Sequence, residues 1–247
     1  MGMIGRETNM IEVNNISFKY GMKPAGGKKF EVRDASLKLE QGYISCLLGN
    51  NGAGKTTLLN LIYGMLKPRS GEVVWNGNKL TGRNMADFRQ ETAYIGEKWC
   101  ADGLTVGRNT ELLSNLYPAF DRDYYDEIMK LAGMDRVRNT FFGKLSKGEK
   151  VKVEIAFALA RKPKFIILDE PLANVDPVFK IDILELLQNS VKDNETGVLL
   201  STHLLDEISE MVDFINVMEN GKITKSGTRF DLLGDDESKQ LRDVLKK

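Results

Sequence analysis

The sequence contains the run Gly49-Asn50-Asn51-Gly52-Ala53-Gly54-Lys55-Thr56-Thr57. This run fits the pattern G-x-x-x-x-G-K-[ST] and lies between a predicted strand at residues 43–48 and a predicted helix at residues 55–66. Glycines let the backbone wrap a phosphate chain without Cβ clashes, so that several N–H groups point at its oxygens. The start of the helix adds the positive end of its dipole. The sequence therefore predicts a phosphate-binding loop in an α/β fold.

Three side chains of this run have predicted roles. Lys55 is expected to reach the β- and γ-phosphates of a nucleotide, and the Thr56 hydroxyl is expected to bind Mg²⁺. Thr57 is expected to add a phosphate contact. A glycine-rich turn that binds nothing is the alternative interpretation, but here a strand, a loop, a Lys-Thr pair and a helix occur together. We therefore expect a nucleotide-binding site.

Two acidic residues follow an apolar strand later in the chain, in the stretch Phe165-Ile166-Ile167-Leu168-Asp169-Glu170-Pro171. Asp169 is expected to hold Mg²⁺ through water. Glu170 is expected to face the γ-phosphate and to orient or deprotonate the attacking water. An acidic pair that only caps a strand is the alternative. Beside a phosphate loop, however, the pair predicts nucleotide hydrolysis.

The composition limits the class of protein. The chain has 247 residues, with 35 basic and 35 acidic side chains, one histidine and two cysteines. Two cysteines cannot build a disulfide framework and one histidine cannot build a histidine-rich metal site, so a reducing, cytoplasmic setting is expected. A net charge of zero argues against a protein that coats nucleic acid by bulk charge.

No stretch of the sequence has the properties of a membrane span or an export signal. The longest mainly apolar runs, such as 43–48 and 165–168, are far shorter than the roughly 20 residues that a spanning helix needs. The N-terminal MGMIGRETNM lacks the apolar centre of a signal peptide. Any action at a membrane is therefore expected to depend on a partner chain.

Hydrophobic periodicity predicts alternating strands and helices along the chain. Strands are expected at residues 11–20, 30–40, 43–48, 164–168 and 197–201, with a loop at 22–29 and hairpins at 71–80 and 214–226. Helices are expected at residues 55–66, 111–116, 124–131, 149–162, 177–191 and 204–212. The continuous apolarity of 43–48 indicates a strand buried on both faces. This order indicates an α/β sheet with a mostly helical insert near residues 98–160.

The run Leu145-Ser146-Lys147-Gly148-Glu149 lies upstream of the acidic pair, with 23 positions separating Ser146 from Asp169. It resembles the LSGGQ signature of the ATP-binding cassette (ABC) ATPases, and the resemblance covers almost the whole chain. The resemblance implies a P-loop NTPase core with a RecA-like mixed sheet, an N-terminal antiparallel β subdomain and a helical signature subdomain. It also implies an enzyme that hydrolyses ATP with Mg²⁺.

The resemblance further implies a dimer in which each ATP lies between one subunit's phosphate loop and the other subunit's signature. Ser146, Gly148 and Glu149 would then bind the partner's ATP. Elementary physics agrees, because the Ser146 hydroxyl and the Gly148 N–H lie at the start of the predicted helix 149–162 and offer an anion site. The residues expected to bind the nucleotide of their own subunit are Gly49, Asn50, Asn51, Gly52, Ala53, Gly54, Lys55, Thr56 and Thr57.

Three more positions match the family one by one. Tyr20 matches the aromatic residue that stacks on adenine, with a strand-end tyrosine packed on the sheet as the alternative. Asp176 matches the D-loop residue that communicates across the dimer. His203 matches the switch histidine that contacts the γ-phosphate and Glu170, with a purely structural histidine as the alternative.

Several positions depart from the family pattern. Glu97 stands where glutamine is usual; a carboxylate could still bind Mg²⁺ or hold a water, but it adds negative charge beside the triphosphate. Lys147 and Glu149 replace the commoner Gly and Gln of the signature, and Asn174 replaces the common Ser of the D-loop. None of these changes removes a residue of the phosphate loop, the acidic pair or the switch. An active ATPase is therefore expected, with catalytic residues Glu170, His203 and Lys55 and metal ligands Thr56, Glu97 and Asp169.

Charge is distributed unevenly along the chain. Residues 144–164 contain seven basic and two acidic side chains, whereas residues 200–219 contain five acidic and no basic ones. One interpretation is that these charges lie on solvated helix faces. The other is that the basic segment faces the triphosphate in the dimer and that part of it contacts a partner. The resemblance also leaves two interpretations for Trp99, as a contact to a partner or as a core aromatic.

The resemblance implies a single nucleotide-binding domain over residues 1–247. Its catalytic core with the β subdomain would comprise 1–97 and 162–227, the helical subdomain 98–161, and a short tail 228–247. We predict an ATPase subunit that forms a homo- or heterodimer around two ATP molecules at the cytoplasmic face of the membrane. It would drive transport, in the direction of export, through a separate permease of the ABC-2 type. The alternative is a soluble ABC ATPase that remodels a nucleic-acid or ribosomal complex; a single cassette without a heptad run argues against it, and no direct nucleic-acid contact is expected.

Overall fold

The computed structural model describes residues 9–21, 30–96, 100–173, 175–203, 208 and 210–233. The predicted loop 22–29 and the residues Glu97, Trp99 and Asn174 lie outside these ranges, as does the tail beyond residue 233. The predicted helix 204–212 lies mostly outside them too, and its described residues 210 and 211 form a turn.

Ten strands form two sheets in the described part of the chain. They are β1 (Met10–Lys19), β2 (Glu31–Glu40), β3 (Ile44–Leu48), β4 (Ser70–Trp75), β5 (Asn78–Lys79), β6 (Thr92–Ile95), β7 (Phe165–Asp169), β8 (Gly197–Thr202), β9 (Phe214–Glu219) and β10 (Lys222–Thr228). An antiparallel sheet has the order β2-β1-β4-β5, and a mixed sheet has the order β10-β9-β3-β8-β7-β6. In the mixed sheet only the β9–β10 pair is antiparallel. The predicted mixed sheet and N-terminal antiparallel sheet are therefore confirmed.

The described part of the chain also contains seven α-helices. They are α1 (Lys55–Ile62), α2 (Met85–Glu91), α3 (Val106–Ser114), α4 (Arg122–Leu131), α5 (Lys147–Ala160), α6 (Pro177–Asn194) and α7 (Arg229–Leu233). The helices α3, α4 and α5 follow one another without an intervening strand, in agreement with the predicted helical insert. None of the helices in the described ranges combines the length and the apolarity that crossing a membrane requires.

The mixed sheet separates two hydrophobic cores. On β3, Cys46 and Leu48 join the core that contains α5 and α6, whereas Leu47 joins the core that contains α1 and the antiparallel sheet. Alternate side chains of a strand point to opposite faces, so a strand covered on both faces must be apolar throughout. All five residues of β3 are buried, as the sequence predicts. The strands β3, β7 and β8 are parallel neighbours, so their carboxyl ends lie at the same edge of the sheet. Ligands bind at this edge in open α/β folds.

Two predicted helices have different bounds in the structure. Helix α1 ends at Ile62 rather than at Leu66, because Gly64 leaves the helical region with a φ of +75°. Helix α3 covers Val106–Ser114 rather than 111–116, because Thr105 caps its start by accepting a hydrogen bond from the Arg108 N–H.

The pair α2 and β6 was not predicted. All four residues of β6 are buried, although β6 is an edge strand of the mixed sheet. A short apolar run of this kind does not distinguish a strand from a buried helical turn. Its conformation is decided by parallel pairing with β7, from Thr92 opposite Phe165 to Ile95 opposite Leu168.

Candidate active site

The phosphate loop connects β3 to α1, and close contacts determine where its glycines occur. The Gly49 N–H donates to the Thr202 carbonyl oxygen, 3.1 Å away at the end of β8. A Cβ atom at Gly49 would lie 2.4 Å from the Met218 carbonyl oxygen. Gly54 has a φ of +112°, and a Cβ atom there would lie 2.5 Å from Cζ of Phe30. A larger residue at Gly49 would therefore push against backbone, and one at Gly54 would be strained by the positive φ.

The Lys55 side chain is folded over its own loop. Its Nζ donates to the carbonyl oxygens of Gly49 and Asn50, at 2.7 and 3.3 Å. The same atom lies 2.9 Å from Oε1 of Glu170, and only 5% of Lys55 is exposed. The ammonium group thus donates to two carbonyl oxygens and forms an ion pair with a third oxygen. A triphosphate that recruits Lys55 must therefore replace some of these oxygens.

The acidic pair lies at the carboxyl end of β7, as the sequence predicts. Glu170 has a φ of +48°, which is uncommon for a residue other than glycine. Its Oε1 is buried and accepts no hydrogen bond of normal geometry, so charge alone holds it to Lys55. Both acidic residues also make hydrogen bonds to the hydroxyl of Ser201 on β8, a residue to which the sequence analysis gave no role.

His203 lies just beyond β8, beside Glu170. Its Nδ1 is 2.9 Å from Oε2 of Glu170. A carboxylate only accepts hydrogen bonds, so Nδ1 carries the proton in this contact when Glu170 is ionised. The structure thus brings together Lys55, Glu170 and His203, which the sequence places 115 and 33 positions apart.

Tyr20 lies beside the phosphate loop, immediately after β1. Its hydroxyl is 3.3 Å from Oγ1 of Thr57, and its ring packs edge-on against Phe18 with centroids 4.9 Å apart. The side chain is nevertheless 46% exposed. Much of the ring therefore remains accessible to a ligand.

A cleft of about 280 Å³ opens between the phosphate loop and the acidic pair. The residues that line it are Phe30, Asn51, Gly52, Gly54, Lys55, Thr56, Thr57 and Glu170. Phe30 is the one member of this set that the sequence analysis did not single out. Its position at the start of a predicted strand gives no sign of its contact with Gly54, which depends on how the two sheets pack.

The oxygens in and beside this cleft suit Mg²⁺. The exposed Thr56 hydroxyl lines the cleft. Asp169 uses Oδ1 to accept a hydrogen bond from Ser201, and its Oδ2 has no hydrogen-bond partner among the described residues. Mg²⁺ prefers such hard oxygen ligands and is commonly held by one or two carboxylates together with substrate phosphates. Among the described residues there is no cluster of three or more His, Cys, Asp or Glu that could hold a metal ion.

The signature run forms the N-terminus of α5 and is closed by a capping box. The Ser146 side chain accepts a hydrogen bond from the Glu149 N–H, and the Glu149 carboxylate accepts one from the Ser146 N–H. This second bond lowers the pKa of the Glu149 carboxyl, and Arg136, 3.1 Å away, acts in the same direction. Glu149 is therefore a stable anion that is already engaged within its own helix.

The remaining predicted site residues lie near this helix start. A Cβ atom at Gly148 would lie 3.0 Å from Cδ2 of Phe179 and 3.1 Å from Cγ1 of Val175. Asp176 caps α6 by accepting a hydrogen bond from the Val178 N–H, at 2.9 Å. Within the described residues, no hydrogen bond or ion pair joins Ser146, Glu149 or Asp176 to the phosphate loop.

A half-buried ion pair joins the signature helix to α6. Lys152, which is 1% exposed, donates to Asp182 Oδ2 and to the Ala132 carbonyl oxygen, and its Nζ lies 4.2 Å from the centroid of the Phe179 ring. In the sequence, Lys152 is distinguished only as part of the basic segment 144–164. Its burial excludes it from a solvated helix face and from a direct phosphate contact.

A family model described as "ABC transporter" matches residues 32–173, which is more than half of the chain. The chain belongs to the ABC transporter family. It is an ABC ATPase, and the phosphate loop, the acidic pair and the signature run all lie in the matched region.

Curated relatives of this ABC ATPase are ATP-binding proteins of transporters. It is 31% identical over 234 residues to the energy-coupling factor transporter ATP-binding protein EcfA1 of Streptococcus agalactiae, covering 92% of this chain and 82% of that protein. It is 32% identical over 216 residues to the lipopolysaccharide export system ATP-binding protein LptB of Haemophilus influenzae, covering 85% of this chain and 89% of that protein.

Solved ABC cassettes share the fold of this ATPase. An ATP-binding subunit of an ABC transporter has a TM-score of 0.82 at 27% identity, covering 96% of this chain and 98% of that one. A dimeric bacterial ABC transporter cassette has a TM-score of 0.77 at 25% identity, covering 89% of this chain and 98% of that one. The mixed sheet, the antiparallel sheet and the helical insert are therefore those of an ABC cassette.

Proposed function

We propose that this ABC ATPase is the nucleotide-binding subunit of a transporter whose membrane-spanning permease is a separate chain. Two subunits, identical or different, would close around two ATP molecules at the cytoplasmic face of the membrane. The observation that carries the proposal is the placement of Lys55 and His203 on the two carboxylate oxygens of Glu170. This is the arrangement in which a phosphate-binding cation and a water-activating base meet at one nucleotide.

Each residue of the candidate active site has a proposed role in ATP hydrolysis. Lys55 would exchange the loop carbonyls and Glu170 for the β- and γ-phosphates. Glu170, freed from this ion pair, would orient and deprotonate the attacking water, while the Nδ1–H of His203 holds its other oxygen. Thr56 and Asp169 would hold Mg²⁺, which neutralises charge on the phosphates. Tyr20 would stack on the adenine.

The second half of each ATP site would come from the partner subunit. Among the described residues, no hydrogen bond or ion pair joins Ser146, Glu149 or Asp176 to the phosphate loop of their own chain, which supports a role across a dimer. The likeness to a dimeric cassette supports the same arrangement. The start of α5 also presents the backbone N–H groups of Lys147 and Gly148 and its positive dipole end to an anion.

Export through a permease of the ABC-2 type is the finer part of the proposal. A relative at 32% identity is a lipopolysaccharide export ATP-binding protein, whereas another at 30% identity is a methionine import ATP-binding protein, so the direction rests on the signature and on residues 116–121. The division into a core of 1–97 and 162–227 and a helical subdomain of 98–161 belongs to the same proposal. In such subunits the helical part meets the permease.

Dimer formation by the Glu170→Gln variant tests the proposal. This variant should bind ATP, hydrolyse it slowly and accumulate a dimer on size-exclusion chromatography with ATP and Mg²⁺, and ATP without Mg²⁺ should give less dimer. Glu111→Gln is a matched control, since Glu111 is an exposed glutamate of α3 paired with Arg108. The control should behave like the wild type. A Glu170→Gln chain that stays monomeric at saturating ATP would count against the proposal.

The permease is tested by co-expression with a multi-span membrane protein encoded in the adjacent open reading frame, if the gene has such a neighbour. Co-purification of the two chains, and stimulation of ATP hydrolysis by the membrane protein in lipid vesicles, are the expected results. ATP-dependent sedimentation with ribosomes in the absence of any membrane partner would instead support the alternative of a soluble remodelling ATPase.

A further inference from the structure

Ser201 lies between the two residues of the acidic pair. The strands β7 and β8 are parallel neighbours, and their register places Ser201 directly opposite Asp169. The Ser201 side chain is fully buried, at 0% exposure, in a strand that is otherwise almost entirely apolar. A hydroxyl in such a place is costly unless it is hydrogen-bonded.

The Ser201 hydroxyl makes two hydrogen bonds of opposite sense. It donates to Asp169 Oδ1 at 2.6 Å, and it accepts from the Glu170 N–H at 2.9 Å. A serine hydroxyl carries a single proton, so donation to Asp169 leaves its lone pairs for Glu170. The bond to a carboxylate is short, as charge-assisted O–H···O⁻ bonds are.

These bonds constrain the two groups that face the cleft. With Oδ1 held by Ser201, Asp169 keeps the direction of its other oxygen, Oδ2, which has no hydrogen-bond partner among the described residues. The left-handed backbone of Glu170, with a φ of +48°, is disfavoured by about 1 kcal/mol, and the hydrogen bond from its N–H helps to hold it. That backbone conformation directs the carboxylate towards Lys55 and His203.

We infer that Ser201 is a positioning residue that orients Asp169 towards the metal and Glu170 towards the attacking water. The inference rests on the proposed roles of Asp169 and Glu170. Ser201 is fully buried and makes its side-chain hydrogen bonds to Asp169 and Glu170, so it would act through these two acidic residues. Its replacement should therefore weaken the metal site and slow hydrolysis without preventing the nucleotide from binding.

The chain offers a matched control in the same sheet. Ser45 on β3 is 1% exposed, and its hydroxyl has no hydrogen-bond partner in the described part of the chain. It lies opposite Leu199, two positions before Ser201 on β8. Ser45→Ala therefore makes the same chemical change at the same depth in the same sheet, without removing a bond to the acidic pair.

The experiment compares Ser201→Ala with Ser45→Ala. For Ser201→Ala, kcat for ATP hydrolysis should fall about tenfold or more while KM for ATP stays within about twofold. The affinity for Mn²⁺ in the presence of a non-hydrolysable ATP analogue, measured by electron paramagnetic resonance, should fall several-fold. Ser45→Ala should change neither quantity by more than about twofold, whatever it does to the melting temperature.

A second pair of variants covers the case in which Ser201→Ala folds poorly. Ser201→Thr and Ser201→Val have nearly the same shape, and only threonine keeps the hydroxyl. Threonine should retain several-fold more activity and Mn²⁺ affinity than valine. Equal values for these two variants, or wild-type kcat and Mn²⁺ affinity in Ser201→Ala, would overturn the inference.

The failure of the proposed site roles would look different. In that case Asp169→Asn would leave Mn²⁺ affinity unchanged and Glu170→Gln would leave kcat unchanged. Large effects of these two variants together with no effect at Ser201 would reject the positioning role alone.

Discussion

Lys55 and Glu170 form an ion pair, with Nζ 2.9 Å from Oε1, inside the cleft that both residues line. The pair joins the group expected to bind the triphosphate to the group expected to activate water. In this contact each charge neutralises the other. ATP binding has to separate them, and it replaces one anionic partner of Lys55 by another.

Removing the negative partner should therefore favour ATP. Glu170→Gln is expected to raise ATP affinity several-fold, or about 1 kcal/mol, because Lys55 no longer loses an ion pair when the phosphates arrive. Fluorescence titration with a labelled ATP analogue measures this, with Glu111→Gln as the control. An unchanged or weaker affinity would show that the ion pair does not compete with nucleotide.

The contact between His203 and Glu170 predicts a graded series. Asn places a donor nitrogen close to the position of Nδ1, whereas Leu has no polar group. His203→Leu should lower kcat about a hundredfold or more, and His203→Asn should lower it less, because one donor to Oε2 of Glu170 remains. Steady-state ATPase measurements compare kcat of the two variants. An equal loss of kcat in both would indicate that His203 acts through Nε2 and not through Nδ1.

The cap of the signature helix should have two separable effects. Ser146→Ala should lower the free energy of unfolding by about 1 kcal/mol, because the Glu149 N–H loses its acceptor. Thr105→Ala removes an equivalent cap, with a 3.2 Å bond, from α3 and should cost a similar amount. Urea unfolding measures both.

Only one of these two caps belongs to the proposed composite site. In the Glu170→Gln background, ATP-dependent dimerisation should therefore weaken for Ser146→Ala and not for Thr105→Ala. Equal effects on the dimer would mean that helix stability alone explains the role of Ser146.

Glu154 predicts a pH dependence of stability. Burial raises the pKa of this α5 carboxyl to about 7, although Lys150 opposes the shift. The folded chain therefore binds a proton more tightly than the unfolded chain, so the contribution of Glu154 to stability falls as the pH rises from about 4.5 through 7.

Glu154→Gln removes this titration. The variant should gain on the order of 2 kcal/mol relative to the wild type at pH 8 compared with pH 5. Urea unfolding at both values measures the difference. Glu111→Gln, an exposed change, should show none, and a pH-independent difference for Glu154→Gln would contradict the raised pKa.

Much of the candidate active site could be predicted from short contiguous runs of sequence. The run from Gly49 to Thr57 and the pair Asp169 and Glu170 are each contiguous, so their chemistry follows from a pattern beside a strand or helix end. His203 and Ser146 required resemblance to a family. Ser201 could not have been found in this way, because its role depends on the register between β7 and β8.

The same distinction applies to the fold. The strand β3 is recognisable because all five of its residues must be apolar when both faces are covered. The short strand β6 is not, since its conformation depends on pairing with β7, which lies about 70 residues later. The helix predicted at residues 55–66 was too long, because the left-handed Gly64 follows the end of α1 at Ile62.

By itself, the sequence determined the α/β class, the phosphate loop and the residue types available for ATP hydrolysis, because these depend on neighbours along the chain. Only the tertiary structure decided how those residues meet. It placed Glu170 between Lys55 and His203. It also buried Lys152 against Asp182, although the sequence alone allowed Lys152 to lie on a solvated helix face. Contacts between distant segments depend on the register and packing of the strands and helices that carry them, and no spacing within one segment encodes that.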